Sequence, residues 1–190
     1  AASVDVAPAA GYHWAGNTVL EAHTAGSVVV ENRKEATLNE AGSYDNVVYC
    51  TICGGEISRE TIRIPVKTGA AASVDGYKYA TLAEAVANAN GKTVVLLKNI
   101  RNAAAIVVES GNVTIDFNGF YYEVATAEDG AALVIKSGAT VTLTNSKAYS
   151  DNCRIAIAYS TYADFNCLIK NEGTLKTTNI RLNGANLYNA

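Results

Sequence analysis

Two cysteines in the N-terminal third of the chain have the clearest potential for chemistry. Cys50 and Cys53 are separated by two residues and followed directly by two glycines. Such a pair supplies two thiolate ligands, half of a tetrahedral zinc site, and the glycine turn lets backbone amides face the sulfurs. His23 and His13 are the only imidazoles in the chain. We take Cys50, Cys53 and His23 as the candidate metal ligands, with zinc as the candidate cofactor.

Other cysteine states remain open. Cys50 and Cys53 could instead form a disulfide or remain two free thiols. A redox role is less favoured because no helix follows the motif to lower a thiol pKa. Cys153 and Cys167 either face each other on adjacent strands or are buried as small apolar side chains, and we favour burial.

Catalytic residues are not predicted. Residues 77–190 contain no histidine, and their acidic residues are scattered, whereas cleavage of glycosidic bonds uses paired carboxylates. Carboxylates meeting near Asp116 and Asp129 or Asp151 would indicate an enzyme. Asp116 alternates with apolar residues, so we expect it to point outward and to make a turn or ladder hydrogen bond. No ligand-binding residue is singled out, and the leading expectation is a non-enzymatic protein.

Aromatic residues of the C-terminal half could form a platform for sugar rings, which bind through an apolar face and hydroxyl hydrogen bonds. The alternative, ordinary half-buried strand tyrosines, is favoured for any one of them. The residues concerned are Phe120, Tyr121, Tyr122, Tyr149, Tyr159, Tyr162 and Tyr188.

Composition restricts the class of protein. The 190 residues are 49% hydrophobic and 17% charged, which excludes a disordered chain. A net charge of −3 argues against a nucleic acid partner, and the apolar runs are too short for membrane insertion. The absence of methionine predicts a piece of a longer precursor. Residues 1–5 would suit the mature side of a signal-peptidase cut or an expression boundary.

Hydrophobic patterning predicts three segments. Residues 1–66 contain three strand-like runs with turn signals between them, which is typical of a small β-sandwich or β-ribbon module. Residues 67–76 are mostly small and predict a linker. Residues 77–190 begin with a short helix of about three turns, with Thr81 as N-cap and Asn90 with Gly91 at its end.

Similar segments recur after this helix. Residues 111–118 and 138–145 each have a glycine, alternating apolar and polar residues, and a final asparagine, and residues 173–179 are a looser copy. Repeats of this kind must stack to bury their faces. We therefore expect a coil with these inward side chains: Val113, Ile115, Phe117, Val141 and Leu143. Asparagines at the turns would adopt the left-handed conformation and stack on one another.

Residues 77–190 resemble the right-handed parallel β-helix of pectin-lyase-like surface proteins. The resembling stretches are Tyr79–Val86, Gly91–Lys98 and Val113–Gly119. In that family a short amphipathic helix caps the open end of the coil. The resemblance therefore implies one N-terminal capping helix followed directly by the first turn of the coil, and says little about function.

The N-terminal part resembles a repeat found in large surface proteins of gut Firmicutes. The matching residues are His23–Gly26, Val29–Asn32, Glu35–Thr37, Gly42–Cys50, Cys53–Gly54, Ser58–Thr61 and Ile64–Pro65. Typical copies carry a further cysteine where this chain has Leu38. A third cysteine ligand or disulfide partner is therefore missing.

Together these features predict an all-β protein: a small Cys-x-x-Cys module, residues 1–66, a linker, residues 67–76, and a capped parallel β-helix, residues 77–190. The resemblances imply an extracellular, surface-attached or secreted adhesin or display stalk of a Gram-positive gut bacterium. Its candidate partners are a glycan or a host surface protein. The alternatives are a β-helix polysaccharide lyase or hydrolase, and a phage or secreted spike protein.

Overall fold

The computed structural model describes residues 8–15, 19–148, 150–184 and 187–189. These residues are mainly β-strand, as predicted, with one α-helix and one 3-10 helix. The chain divides after Lys67 into two compact units, residues 1–67 and 68–190. Residues 1–5, whose composition suggested a processed start, lie outside the described part.

The first unit consists of a hairpin and a sheet, both antiparallel. Strands β1 and β2 form the hairpin, and the sheet has the order β3-β4-β5. Their bounds are β1 Tyr12–Ala15, β2 Val19–Ala22, β3 Ala25–Lys34, β4 Gly42–Cys50 and β5 Glu56–Ile64. The described buried apolar residues of this unit are only Ala36, Val47 and Cys50. Burial of apolar surface therefore contributes little to its stability.

A charged network lies across the sheet of the first unit. Asp45 on β4 accepts hydrogen bonds from Asn32 Nδ2 and Thr61 Oγ1, both at 2.7 Å, and from Arg59 Nη1 at 2.9 Å. Arg59 also pairs with Glu31 and Glu56. The donors, Asn32 foremost and then Thr61 and Arg59, hold the pKa of Asp45 below its ordinary value of 3.8.

We expect Asp45 to make the first unit sensitive to acid. Because its folded pKa is depressed, its stabilising contribution is complete above the unfolded pKa and is lost as pH falls through the folded value. Asp45→Asn should lower the free energy of unfolding at neutral pH. In this variant that free energy should also fall less steeply as the pH drops below 3.8. Trp14, the chain's single tryptophan, reports the unfolding by fluorescence.

A matched control is Glu35→Gln, which removes an exposed carboxylate whose pKa is lowered by Arg33. That ion pair should be screened by salt. The Asp45 contribution should persist at high salt, because two of its three donors are neutral. An unchanged acid profile in Asp45→Asn would contradict the prediction.

The second unit has fourteen described strands and one α-helix. Their bounds are β6 Ala72–Val74, β7 Tyr77–Tyr79, α1 Leu82–Ala87, β8 Lys92–Leu96, β9 Ile100–Ala104, β10 Ile106–Val108, β11 Gly111–Asp116, β12 Tyr121–Thr126, β13 Ala131–Ile135, β14 Ala139–Thr144, β15 Arg154–Ile157, β16 Cys167–Asn171, β17 Thr174–Thr178, β18 Arg181–Asn183 and β19 Leu187–Asn189. A 3-10 helix, Tyr159–Asp164, precedes β16.

From β8 onward, successive strands belong in turn to three different sheets. The sheet orders are β7-β6-β8-β11-β14-β17, β9-β12-β15-β18 and β10-β13-β16-β19. Every pairing among β8 to β19 is parallel, whereas β6 pairs antiparallel with both β7 and β8. From β11 onward, each strand therefore pairs with the strand three places before it. Three consecutive strands form one repeat, with one strand in each sheet.

One apolar core runs through these three sheets. Equivalent side chains stack on paired strands, as with Ile106, Leu133 and Ile169, each at most 1% exposed. The five side chains predicted to point inward are all buried: Val113, Ile115, Phe117, Val141 and Leu143. The predicted repeat alternation of residues 111–118 and 138–145 is thus confirmed at these positions.

The helix begins where the sequence predicts. Thr81 Oγ1 accepts the Glu84 N–H at 3.1 Å, and Glu84 Oε2 accepts the Thr81 N–H at 3.2 Å, which completes a capping box. The helix is shorter than expected. It ends at Ala87, where the side chain of Asn88 donates to the Glu84 carbonyl at 2.8 Å. Its apolar face joins the core at one end of the three sheets.

The predicted linker, residues 67–76, is partly a strand. Residues Ala72–Val74 form β6, which pairs with β7 and β8 and extends the first of the three sheets. Ala72 is fully buried in the core. The small residues of this stretch predict a flexible connection, but Ala71 and Ala72 are buried, and residues 68–76 belong to the second unit.

Candidate functional site

A tight turn brings Cys50 and Cys53 together. Cys50 is the last residue of β4, and its N–H donates to the Gly55 carbonyl at 2.8 Å. The Gly54 N–H donates back to the Cys50 carbonyl at 3.0 Å. Gly54 has a φ of +71°, the left-handed region that glycine adopts without strain. The glycines after the motif therefore close the turn that places both thiols.

Strand pairing brings the two histidines to this turn. Ala25 on β3 pairs with Cys50, and the Thr51 N–H donates to the Thr24 carbonyl at 2.9 Å, so His23 lies beside the turn. His13 comes from the other element, the β1–β2 hairpin. The His23 N–H donates to the carbonyl of Gly11 at 2.9 Å, which holds the hairpin's first strand near His23.

Three donor groups meet at this point. One ligand atom from each of His13, His23 and Cys53 lies within 4.8 Å of the other two. The two imidazole rings stack with centroids 5.5 Å apart and an angle of 24° between their planes. Among the described residues this is the one such group of three or more histidines, cysteines and acids. Of the predicted ligands, the structure thus brings together His23 and Cys53.

His13 has an unusual environment. Its residue surface is only 5% exposed, and neither Nδ1 nor Nε2 has a hydrogen-bond partner. The nearest acid is its cross-strand neighbour Glu21, whose Oε2 lies 3.8 Å from Nε2, beyond hydrogen-bond distance. Buried polar groups without partners are costly and rare in native proteins.

Cys50 adjoins the group through Cys53. The backbone N–H of Cys53, then those of Ile52 and Thr24, and the Cys53 thiol lower the pKa of the buried Cys50 thiol to about 7. Such N–H groups stabilise a thiolate, the form of cysteine that binds metals. No disulfide joins the described cysteines, and Cys153 and Cys167 are buried in the second unit.

The sequence-based ligand set did not include His13. The available signal was that His13 and His23 are the chain's only imidazoles. A hairpin between them would bring both to one place. The sequence does not predict a hairpin in residues 1–20, because alanine-rich sequence gives weak strand patterning.

The second unit carries a separate groove beside the 3-10 helix. It has a volume of about 340 Å³, and its polar lining comes from Glu123, Arg154 and Asn183. Tyr159 and Tyr162 also line it, and Tyr159 is 97% exposed.

The other predicted platform tyrosines do not share this exposure. Tyr121 is buried between the guanidinium groups of Arg101 and Arg154. Tyr122 is buried in the core and donates its hydroxyl to the Ala104 carbonyl at 2.6 Å. Tyr149 and the side chain of Tyr188 lie outside the described residues.

The three acids singled out in the second unit, Asp116, Asp129 and Asp151, take part in separate structural bonds. Asp116 is 8% exposed rather than pointing into solvent, and its Oδ1 accepts the N–H groups of Asn118 and Ser146. The expected turn bond is therefore present, together with a bond to the next repeat. Asp129 pairs with Lys136 and Lys170, and Asp151 pairs with Arg181 across a different sheet.

No family model, curated protein or solved structure matches the chain. Within the described ranges, none of the helices is both long and apolar enough to cross a membrane.

Proposed function

We propose that the chain is a non-enzymatic module of a bacterial surface protein, an adhesin or display stalk. The observation that carries this proposal is the rotation of parallel strands among three sheets around one core. We interpret this arrangement as a right-handed parallel β-helix capped by α1. Such repeating coils make extended, rigid supports because each turn contacts mainly its neighbours.

The placement of the acids supports a passive role. Asp116 accepts hydrogen bonds from backbone amides, Asp129 pairs with Lys136 and Lys170, and Asp151 pairs with Arg181. Each carboxylate therefore has a structural partner. The surface location and the Gram-positive origin rest on the sequence resemblances.

The groove beside the 3-10 helix supports glycan binding as a second candidate function. An exposed aromatic ring offers the apolar face on which a sugar packs, and the carboxylate, guanidinium and amide around it can pair with hydroxyls. Tyr159 and Tyr162 supply the rings, and Glu123, Arg154 and Asn183 supply the polar groups. Because both charge signs are present, we expect a neutral sugar.

Glycan binding and cleavage are tested with one set of variants of the full chain. Immobilised polysaccharides should retain the wild-type chain, and Tyr159→Ala with Tyr162→Ala should reduce retention by at least about tenfold. Tyr77→Ala is the control, because Tyr77 is also well exposed, at 58%, but does not line the groove.

The same polysaccharides are assayed for new reducing ends and unsaturated products. We expect none, and turnover by the wild-type chain would overturn the non-enzymatic proposal. Equal retention of the double variant and the wild type would remove the groove as the glycan site. If no polysaccharide retains the wild-type chain, the glycan-binding proposal fails and the display proposal stands alone.

A further inference from the structure

We propose that the first unit holds one zinc ion between the thiolates of Cys50 and Cys53 and the imidazoles of His23 and His13. This site is independent of the proposed display function, since it uses no residue of the second unit. Its new element is His13, a fourth ligand that closes the coordination shell and ties the β1–β2 hairpin to the three-stranded sheet.

The donor set selects the metal. Two thiolates and two neutral imidazoles in tetrahedral arrangement match zinc, whereas calcium and magnesium take oxygen ligands. The cysteine ligands are separated by two residues and followed by glycine, and backbone N–H groups of Ile52 and Cys53 face the Cys50 sulfur. These amides disperse thiolate charge next to the cation.

The burial of His13 points to a ligand independently of the cysteines. An imidazole that is 93% buried, with neither nitrogen in a hydrogen bond, lies against His23 and Cys53. A metal bound at Nδ1 satisfies one nitrogen. The other, Nε2, then presents its N–H to the Glu21 carboxylate, 3.8 Å away. Metal-bound histidines ordinarily donate their second ring N–H to such an acceptor.

Three of the four proposed ligands are close enough for a small closure, and the Cys50 sulfur lies beside Cys53 but outside this group. Tetrahedral zinc with these ligands has donor atoms about 3.3–3.8 Å apart, and the atoms of His13, His23 and Cys53 lie within 4.8 Å. Cys53 is exposed in its turn and can approach without disturbing a core. Gly55 leaves room on this side, since a Cβ there would lie 3.3 Å from Cys53 Sγ.

Four protein ligands define a structural site. Catalytic zinc keeps one position open for water, whereas a closed Cys2His2 shell contributes folding energy. The first unit has few buried apolar side chains among its described residues, so its core contributes little to stability. A metal cross-link between its hairpin and its sheet supplies stabilising free energy in its place.

The experiment measures metal binding by the full chain under reducing conditions. Native mass spectrometry with added Zn²⁺ should show one zinc per chain that is lost on denaturation, after which all four thiols alkylate. Co²⁺ should give the intense visible bands of tetrahedral coordination and a thiolate charge-transfer band. Competition with a chromophoric chelator gives the zinc affinity of each variant.

The variants separate a ligand from a folding defect. His13→Ala should weaken zinc binding by about 100-fold or more. His13→Cys should keep one zinc and raise the cobalt charge-transfer intensity by about half, because two thiolates become three. Cys153→Ser, which changes a cysteine of the second unit, should bind as the wild type does.

Four results would overturn the site. A wild-type chain without zinc, or one lighter by two hydrogens from a Cys50–Cys53 disulfide, would remove the metal. Wild-type affinity in His13→Ala would remove His13 from the shell. If His13→Ala does not fold, an unchanged cobalt spectrum in His13→Cys decides against His13 in the same way.

Discussion

Removing zinc is expected to unfold the first unit while the second unit stays folded. Structural zinc binds zinc-finger peptides with an apparent free energy of about 10–16 kcal/mol, and this energy is available only to the folded state. The described apolar core of the first unit is formed by Ala36, Val47 and Cys50. The second unit contains none of the proposed ligands.

The two units can be followed separately. Trp14 lies next to His13 on β1, and because it is the chain's single tryptophan its fluorescence reports the first unit alone. Hydrogen exchange of the amides of β13 and β14 reports the second unit. A strong zinc chelator should change the Trp14 signal and leave protection of β13 and β14 intact.

Re-addition of metal provides the control. Zn²⁺ should restore the Trp14 signal, whereas Mg²⁺ should not, since it prefers oxygen ligands. Fluorescence that does not respond to chelation would mean that the first unit folds without metal. Loss of protection in both units would mean that the second unit also depends on the metal.

Shortening Leu133 is expected to lower the stability of the second unit strongly. Leu133 is fully buried on β13 between Ile106 and Ile169 of the two neighbouring strands. Leu133→Ala removes methyl groups from the middle of this stack and leaves a cavity that both neighbours border. The free energy of unfolding should fall by about 3 kcal/mol.

Leu97→Ala is the matched control, because Leu97 belongs to the same unit but is 37% exposed. It should cost less than about 1 kcal/mol. Denaturant unfolding followed by far-ultraviolet circular dichroism gives both values, and the Trp14 transition should be unaffected. Equal losses in the two variants would contradict a continuous core through the three sheets.

The proposed zinc site of the first unit and the stacked core of the second unit stabilise the two units by different means. The second unit stabilises itself by stacking one row of side chains on the next, as Ile106, Leu133 and Ile169 do. The first unit has one thin sheet, whose polar network around Arg59 is partly open to water. Exposed ion pairs contribute little, so we expect the proposed metal cross-link to be the stronger source of stability there.

Local features of the fold could be predicted because neighbours in sequence determine them. The capping box at Thr81 and Glu84 needs residues three apart, and the alternation of Val113 and Ile115 needs only the period of a strand. The turn after Cys50 likewise follows from its two glycines. In the same way the sequence by itself determined the all-β class and the residue at which the helix begins.

Only the tertiary structure decided which distant residues meet. His13 reaches His23 through hairpin pairing, and Ala72 enters a sheet that the small residues of this stretch did not predict. Tyr159 is exposed whereas Tyr122 is buried, although both are tyrosines in a part of the sequence that is rich in strands. The physical reason is that register between separate strands depends on the summed packing of the whole core, which no local pattern contains.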